Sequence, residues 1–401
     1  MKYPLMLFAA VVVLLNACKT ETTDTPTQTI QIGGLFSLTG SWSGLGLTSK
    51  EAIKIAVDDV NAYMSSINSS YRFSTQVSDT KLDTGLALQA LMDLNTKQQI
   101  KYFIGPQSSA EMGALKAYAE ANKLLLVSQG STASSLSLPG DALFRFCPGD
   151  AVEGAAMAKS IFQEGKRNII TLSRDDAGNK GLQNVVGSTF TSLGGTVTAL
   201  TPYATNTSDF SSLIATLKQT IQTQLSTKDS SEIGVYIASF DELKDLFEQA
   251  NNEPVLSKVK WYGGDGIALS SVITGSATAS AFAAKTSFYA PVYGLPAAAK
   301  PELNDIKALI KSRSGMDADA YSLAVYDAVW VIALTIQKQT YDKSDFEAFK
   351  SSFMSTANSY NGLTGTMTLN ANGDRSTGTF DYYGIVFENN QFIWKFVGKS
   401  E

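Results

Sequence analysis

The sequence predicts an α/β protein made of two doubly wound parallel sheets, and three observations carry that expectation. Apolar runs of strand length alternate with helical patterns from Ile30 onward. The run Leu124-Leu-Leu-Val127 is apolar throughout, as in a parallel strand buried on both faces. At 401 residues the chain exceeds a typical single domain and suits two.

Taken in order, residues 30–36 read as a strand, followed by the Gly/Ser loop 37–46. Thr48 with Glu51 forms a capping box, after which Ile53, Ala56, Val57, Val60 and Met64 recur at helical spacing. Residues 73–77 form a strand and 84–94 a helix. Residues 102–104 form a short strand that Gly105-Pro106 breaks, and the capping box Ser108 to Glu111 starts a helix near Ser109. The strand 124–127 then runs into the loop Ser128-Gln-Gly-Ser-Thr132. Asp150 with Glu153 caps a helix to about residue 163, and the alternation continues: strand 168–172, helix 180–193, strand 196–200, helix 210–224, strand 233–238, helix 242–251 and strand 259–262. A helix near Leu269, a strand over 286–290 and helices over 303–311, 321–337 and 346–354 follow. The helix from Tyr321 is apolar nearly all round, so it belongs in a core, with Asp327 in a structural cap or pair. Strands over 366–369, 381–387 and 392–397, joined by Asn-Gly turns, close the chain. No internal repeat of 20 to 50 residues is visible.

Composition narrows the chemistry. The net charge is −5, with no Lys/Arg cluster, which argues against nucleic acid as a partner. The chain has no histidine, which removes Ser-His-Asp and Cys-His catalysis and the usual zinc enzymes. Gly40-Ser-Trp-Ser-Gly44 has Trp42 where a nucleophile elbow needs Ser, and no phosphate-loop or dinucleotide fingerprint is present. No catalytic residue, metal ligand or cofactor is expected; a carboxylate-only enzyme would have to use Asp175, Asp176 and Asp265. Cys147 reads as a small core residue, with a reactive thiol as the other reading. At the start, Lys2, the apolar run 5–15 and Leu15-Asn-Ala-Cys18 read as a signal segment (1–17) whose end resembles the bacterial lipobox, implying acylation at Cys18. A Thr-rich stretch, 18–29 with the lipidated Cys18, reads as a tether.

The unit 102–132 draws the functional expectation. The first N–H groups of the helix at Ser109 have no partner within the helix and lie at its positive end, so they suit a carboxylate or phosphate. Ser128 to Thr132 would lie beside that helix start, at the carboxyl ends of neighbouring strands where open α/β sheets bind ligands. Taken singly, Ser108 is a simple cap and the Ser/Gly loop a simple turn; together they imply a ligand that is anionic at one end.

Several segments resemble the leucine/isoleucine/valine-binding family of type I substrate-binding proteins that serve ABC importers. They are Ile32-Gly-Gly-Leu-Phe-Ser-Leu-Thr-Gly40, Phe103-Ile-Gly-Pro-Gln-Ser-Ser109, Phe144-Arg-Phe-Cys-Pro-Gly-Asp150, Asp175-Asp176, Tyr326-Asp-Ala328 and Gly362-Leu-Thr-Gly-Thr-Met-Thr-Leu-Asn-Ala-Asn-Gly-Asp374. The resemblance implies two α/β lobes joined by three hinge crossings: 30–145 with 292–361, and 146–291 with 362–401. It implies a ligand carboxylate on Ser109, an ammonium on the Gly130 carbonyl, and Thr132 touching both ends. Tyr262-Gly-Gly-Asp-Gly266 resembles the segment whose acid pairs with the ammonium, which gives that role to Asp265; a turn residue before Gly266 is its other reading. Where the family often has aromatic side chains, this chain has Leu45 after Trp42, Gly178 after Asp176, and Phe240 after Ser239. Trp42 and Phe240 are expected as apolar walls, and Gly178 as a missing wall that enlarges the pocket. The function implied is that of a monomeric, lipid-anchored, extracytoplasmic protein that captures a small, apolar amino acid for an ABC permease. The alternatives are a sensing module of the same fold or a binder of another carboxylate.

Overall fold

The computed structural model describes residues 28–295, 300–338 and 345–400. The expected signal segment, Cys18 and the tether as far as residue 27 lie outside them. Gln28 and Thr29, expected in the tether, instead open the first strand.

The chain begins with β1 (Gln28–Phe36), α1 (Ser43–Ser66), β2 (Tyr71–Asp79), α2 (Thr84–Gln98), β3 (Tyr102–Ile104), α3 (Ser109–Ala121), β4 (Leu125–Ser128) and β5 (Leu143–Pro148). It continues through α4 (Asp150–Gln163), β6 (Asn168–Ser173), α5 (Ala177–Ser192), β7 (Thr196–Ala199), α6 (Ser211–Leu225), β8 (Ile233–Ala238), α7 (Leu243–Ala250) and β9 (Lys260–Gly263). Next come α8 (Ser271–Thr274), α9 (Ala277–Lys285), β10 (Tyr289–Tyr293), α10 (Leu303–Ser314), α11 (Ala320–Lys338) and α12 (Phe346–Ser359). The last elements are β11 (Asn361–Gly362), β12 (Gly365–Thr366), β13 (Asp374–Arg375), β14 (Phe380–Glu388) and β15 (Gln391–Lys399).

One sheet has the order β13-β5-β4-β3-β1-β2 and the other β15-β14-β10-β9-β8-β6-β7. Leaving out their last strands, both follow the same path: the first strand lies inside the second, and the third to fifth extend the other way. The pairs along that path are parallel, and β14 and β15 join antiparallel. In such sheets the crevice opens where the order reverses, between β1 and β3 and between β6 and β8.

The chain crosses between lobes three times: after β5, after β10 and between β13 and β14. β5 runs to Pro148 and β10 to Tyr293, and Asp374–Arg375 pairs with β5. The crossings therefore fall after 148, 293 and 375 rather than at 145/146, 291/292 and 361/362. Asp327 in the buried α11 fixes the chain ahead of the last crossing. Its carboxylate accepts from the Leu363 and Thr364 N–H groups at 2.8 and 2.9 Å and from the Thr364 hydroxyl at 2.7 Å. Gly362 is required there, because a Cβ would overlap the Asp327 carboxyl.

Two expected capping boxes are not caps. α1 starts at Ser43, so Thr48 and Glu51 lie inside it, and the Thr48 hydroxyl donates back to the Leu45 carbonyl at 3.0 Å. α4 is capped by Gly149 without a side-chain bond, which leaves Asp150 and Glu153 buried for other partners. The helix α9 was not anticipated, the expected strand 366–369 shrinks to the short β12, and the β14–β15 turn is Asn389-Asn390 with positive φ at both residues. Cys147 is fully buried, and burial pushes its thiol up out of the reactive range, so it is a core residue.

Candidate functional site

The cleft is lined by residues that follow the carboxyl ends of strands in both lobes. From the first lobe come Trp42, Ser108, Ser109, Gly130 and Thr132. From the second come Asp176, Gly178, Asn179, Leu182, Phe240 and Asp265. The fold thus gathers seven of the eight expected ligand residues. Leu45 is the exception: it is buried in α1 and packs behind Gly130.

The first wall is built by the start of α3. Ser108 and Glu111 form a reciprocal capping box: the Ser108 hydroxyl accepts from the Glu111 N–H, and the Glu111 carboxylate accepts from the Ser108 N–H at 3.1 Å. Ser109, one residue further, accepts at its hydroxyl oxygen from the Thr132 and Ala133 N–H groups at 3.1 and 3.0 Å. The Ser131 hydroxyl lies 3.2 Å from the same oxygen, so with its lone pairs occupied Ser109 gives its proton to Ser131 unless a ligand takes it. The Thr132 N–H is therefore already bonded, unlike the expectation that it reaches a ligand directly. The Thr132 hydroxyl is held by the Asp150 carboxylate. The Ser109 and Ala110 N–H groups and the Gly130 carbonyl carry no hydrogen bond among the described residues. Gly130 is required for space, since a Cβ would come within 2.8 Å of the Gln107 carbonyl oxygen.

The second wall is carboxyl-rich. Asp265 opens a short helical turn after β9; its carboxylate accepts from the Tyr321 hydroxyl at 3.0 Å, and its N–H donates to Glu153 at 3.1 Å. Burial, with the nearby Asp150 charge adding to it, pushes Asp265 up to about 7. Burial also pushes Asp150 up to about 6 and holds Glu153 well above the ordinary range. Asp176 caps α5, accepting from the Asn179 N–H at 3.0 Å and its side-chain amide at 2.8 Å, and lies 3.2 Å from Arg174 Nε. Asp175, an acid that a carboxylate enzyme would need, faces solvent and pairs with Lys180.

The walls meet. The Trp42 and Phe240 rings lie 4.9 Å apart, and Arg174 stacks 5.2 Å over the outer face of Phe240. The Trp42 N–H donates to Asp241 at 2.7 Å, and Asp241 also accepts from Ser270 at 2.6 Å. Trp42 starts α1 in a left-handed conformation without a side-chain cap, so an acid from the other lobe takes the capping position. A Cβ on Gly178 would sit 3.3 Å from the Ser109 hydroxyl; rather than enlarging the pocket, Gly178 lets the start of α5 approach that of α3. The space left is about 10 Å³, roughly that of one water molecule. Larger hollows, up to about 490 Å³, lie on the first lobe near Lys123 and Lys350, away from the cleft.

Sequence reasoning did not find Asp150, Glu153, Asp241 or Tyr321 as site residues. In the sequence the first two have the spacing of a cap; their position directly after β5 (Leu143–Pro148) is the signal of another use.

A family model described as the receptor family ligand binding region matches residues 48–387. A protein of Methanocaldococcus jannaschii is 28% identical over 408 aligned residues, which cover 96% of this chain and 94% of that one. The branched-chain amino acid transporter substrate binding protein LivJ from Streptococcus pneumoniae, in complex with isoleucine, superposes with a TM-score of 0.73 at 18% identity, over 92% of this chain and 99% of that one. A solute binding protein of an ABC transporter from R. palustris, in complex with benzoate, gives 0.72 at 13% identity, over 92% and 95%. The chain therefore belongs to the receptor family ligand binding region, with the fold of the type I periplasmic binding proteins.

Proposed function

We propose that this chain captures a small, apolar amino acid between its lobes and delivers it to an ABC permease, acting without catalysis. The observation that carries the reading is the opposite electrical demand of the two walls. α3 offers the Ser109 hydroxyl and free N–H groups, which suit a carboxylate. Facing them, Asp265 is a buried carboxylate with no cation bonded to it among the described residues, which suits an ammonium group. The Gly130 carbonyl and the Thr132 hydroxyl complete the ammonium side, while Trp42 and Phe240 wall the side chain, with Gly178 closing over Ser109. Asp265 comes from the second lobe, so both ends of the ligand are held only when the lobes close, and ligand shifts that equilibrium. Acylation at Cys18 would hold the protein, as a monomer, at the outer face of a bacterial membrane; two or more acyl chains anchor stably where one does not.

The structurally similar benzoate-binding protein and the Trp42–Phe240 ring pair favour a second reading, an aromatic acid without an ammonium group. Thermal unfolding against the standard amino acids and a set of benzoates separates the two. A ligand at about 100 times its Kd adds on the order of 2.7 kcal/mol of stability. A shift with aliphatic L-amino acids is the expected result; a shift with benzoates alone retires the ammonium role of Asp265. Reconstitution with the permease separates delivery from sensing.

A further inference from the structure

Behind Asp265 lies a second acid that the capture of a zwitterion does not call for. Glu153 is completely buried on α4. One of its oxygens accepts from the Asp265 N–H at 3.1 Å, and the other meets no hydrogen-bond donor. An ionised carboxylate in such a place would leave a charged oxygen without a partner, at a cost of several kcal/mol. A carboxylic acid needs only an acceptor there, and Asp265 is the neighbour whose own N–H already holds the other Glu153 oxygen.

Among the described residues none donates to that second oxygen. Asp150 on the same helix is acidic, and the fully buried Tyr236 hydroxyl from β8 forms no hydrogen bond to it. Tyr321 from α11 donates to Asp265, Tyr382 from β14 donates to or accepts from Ser160, and Cys147 from β5 is a neutral thiol. Arg145 on β5, a cation that acts on Asp150 and Cys147, is ion-paired with Asp374 and donates to the Ala133 carbonyl.

We propose that Glu153 is a permanently protonated acid that donates to Asp265, and that Asp265 alternates between a proton in the empty cleft and the ammonium group of the ligand. The exchange balances as Asp265 carboxylic acid plus ligand ammonium giving the carboxylate–ammonium pair plus a proton released to solvent. Burial and the Asp150 charge raise Asp265 into the range where the competition falls near neutrality. Ligand is held in neutral or mildly alkaline surroundings and released as they acidify. This inference rests on the amino acid reading above.

The test has one part that needs no ligand. Infrared spectra of the full chain, titrated from about pH 5 to about pH 8, should show a buried carboxylic acid band that loses intensity in two parts; D265N should remove the part that titrates near 7 and leave that of Asp150 near 6, and E153Q should remove intensity that persists to pH 8. Absence of both the Asp265 and the Glu153 parts overturns the inference whatever the ligand. Calorimetry with L-leucine in buffers of different ionisation heat should show proton release and an affinity that falls about tenfold per pH unit below about 7. E153Q, whose amide supplies the same donor, should keep the pH midpoint of binding, while E153A, which supplies none, should shift it upward. A large loss in E153Q identifies Glu153 as the ionised member and overturns the assignment. Tight binding that is independent of pH overturns proton exchange but leaves amino acid capture standing. A titrating band with no binding of any amino acid retires the capture reading, and proton displacement falls with it.

Discussion

The two walls of the cleft differ in the sign of what they leave unmatched. In the first lobe Ser108 and Glu111 cap each other and the Ser109 oxygen accepts from two N–H groups, while the Ser109 and Ala110 N–H groups and one Glu111 oxygen have no partner among the described residues. In the second lobe Asp150 and Glu153 each have an oxygen without a partner, Tyr236 has a free hydroxyl, and Asp265 rests on a single side-chain donor. The difference teaches that the first wall leaves N–H donors open beside its capping box, whereas the second leaves acids whose cost of burial a cationic group can relieve.

The strongest way to break this contrast is Asp265→Asn. Amino acid affinity should fall by about 3–5 kcal/mol, the usual loss on removing one partner of a buried pair. Above about pH 7, where Asp265 is ionised in the empty cleft, the unliganded protein should unfold at a higher temperature, because a buried carboxylate has been replaced by a neutral amide. Calorimetry and a melt on the same sample check both signs; a parallel loss of affinity and stability would mean that Asp265 is a structural residue.

The next effect is on pH. A carboxyl group whose folded pKa is raised from 3.8 to about 7 binds more protons in the folded state between those values, so stability falls as pH rises through that window. Asp150, raised to about 6, acts in the same direction. The unliganded melting temperature should drop between about pH 5 and about pH 8, by the equivalent of a few kcal/mol at most, and D265N should flatten the drop.

Ser109→Ala tests the other wall. It leaves the Thr132 and Ala133 N–H groups buried without an acceptor, at about 1–3 kcal/mol. Here stability and affinity should fall together, the reverse of D265N, as chemical denaturation beside a binding titration would reveal. Smallest of all, Asp241→Ala removes the acceptor for Trp42 and Ser270. An effect of about 1 kcal/mol should appear as faster ligand dissociation in stopped-flow fluorescence, with the association rate little changed.

Much of the fold was legible because it rests on local and periodic signals. The uninterrupted apolar run at Leu124 to Val127 marked a strand buried on both faces, and the Ser108–Glu111 box marked the start of α3 within one residue. The pattern at Thr48 and Glu51 failed for a physical reason: α1 starts five residues earlier, where its first N–H is met by Asp241 from 199 positions away, and no local pattern records that partner. Asp150 and Glu153 misled in the same way. An acid at the first turn of a helix looks like a cap from sequence, and only burial against Asp265 and Thr132 reveals the other use. The third crossing was placed too early because β13 is two residues long and has no periodicity to read.

The shared strand order of the two sheets has a further consequence. Two sheets of one topology each bring the ends of their strands to one cleft. The proposed amino acid carries opposite charges at its two ends. Shared topology cannot tell those ends apart, so under that proposal the side chains in which the lobes differ, Ser109 on one side and Asp265 on the other, set which end goes to which lobe. Ligand orientation in this scaffold is a property of composition rather than of shape, so a lineage of such proteins can reverse or abolish that polarity without altering the path of its backbone.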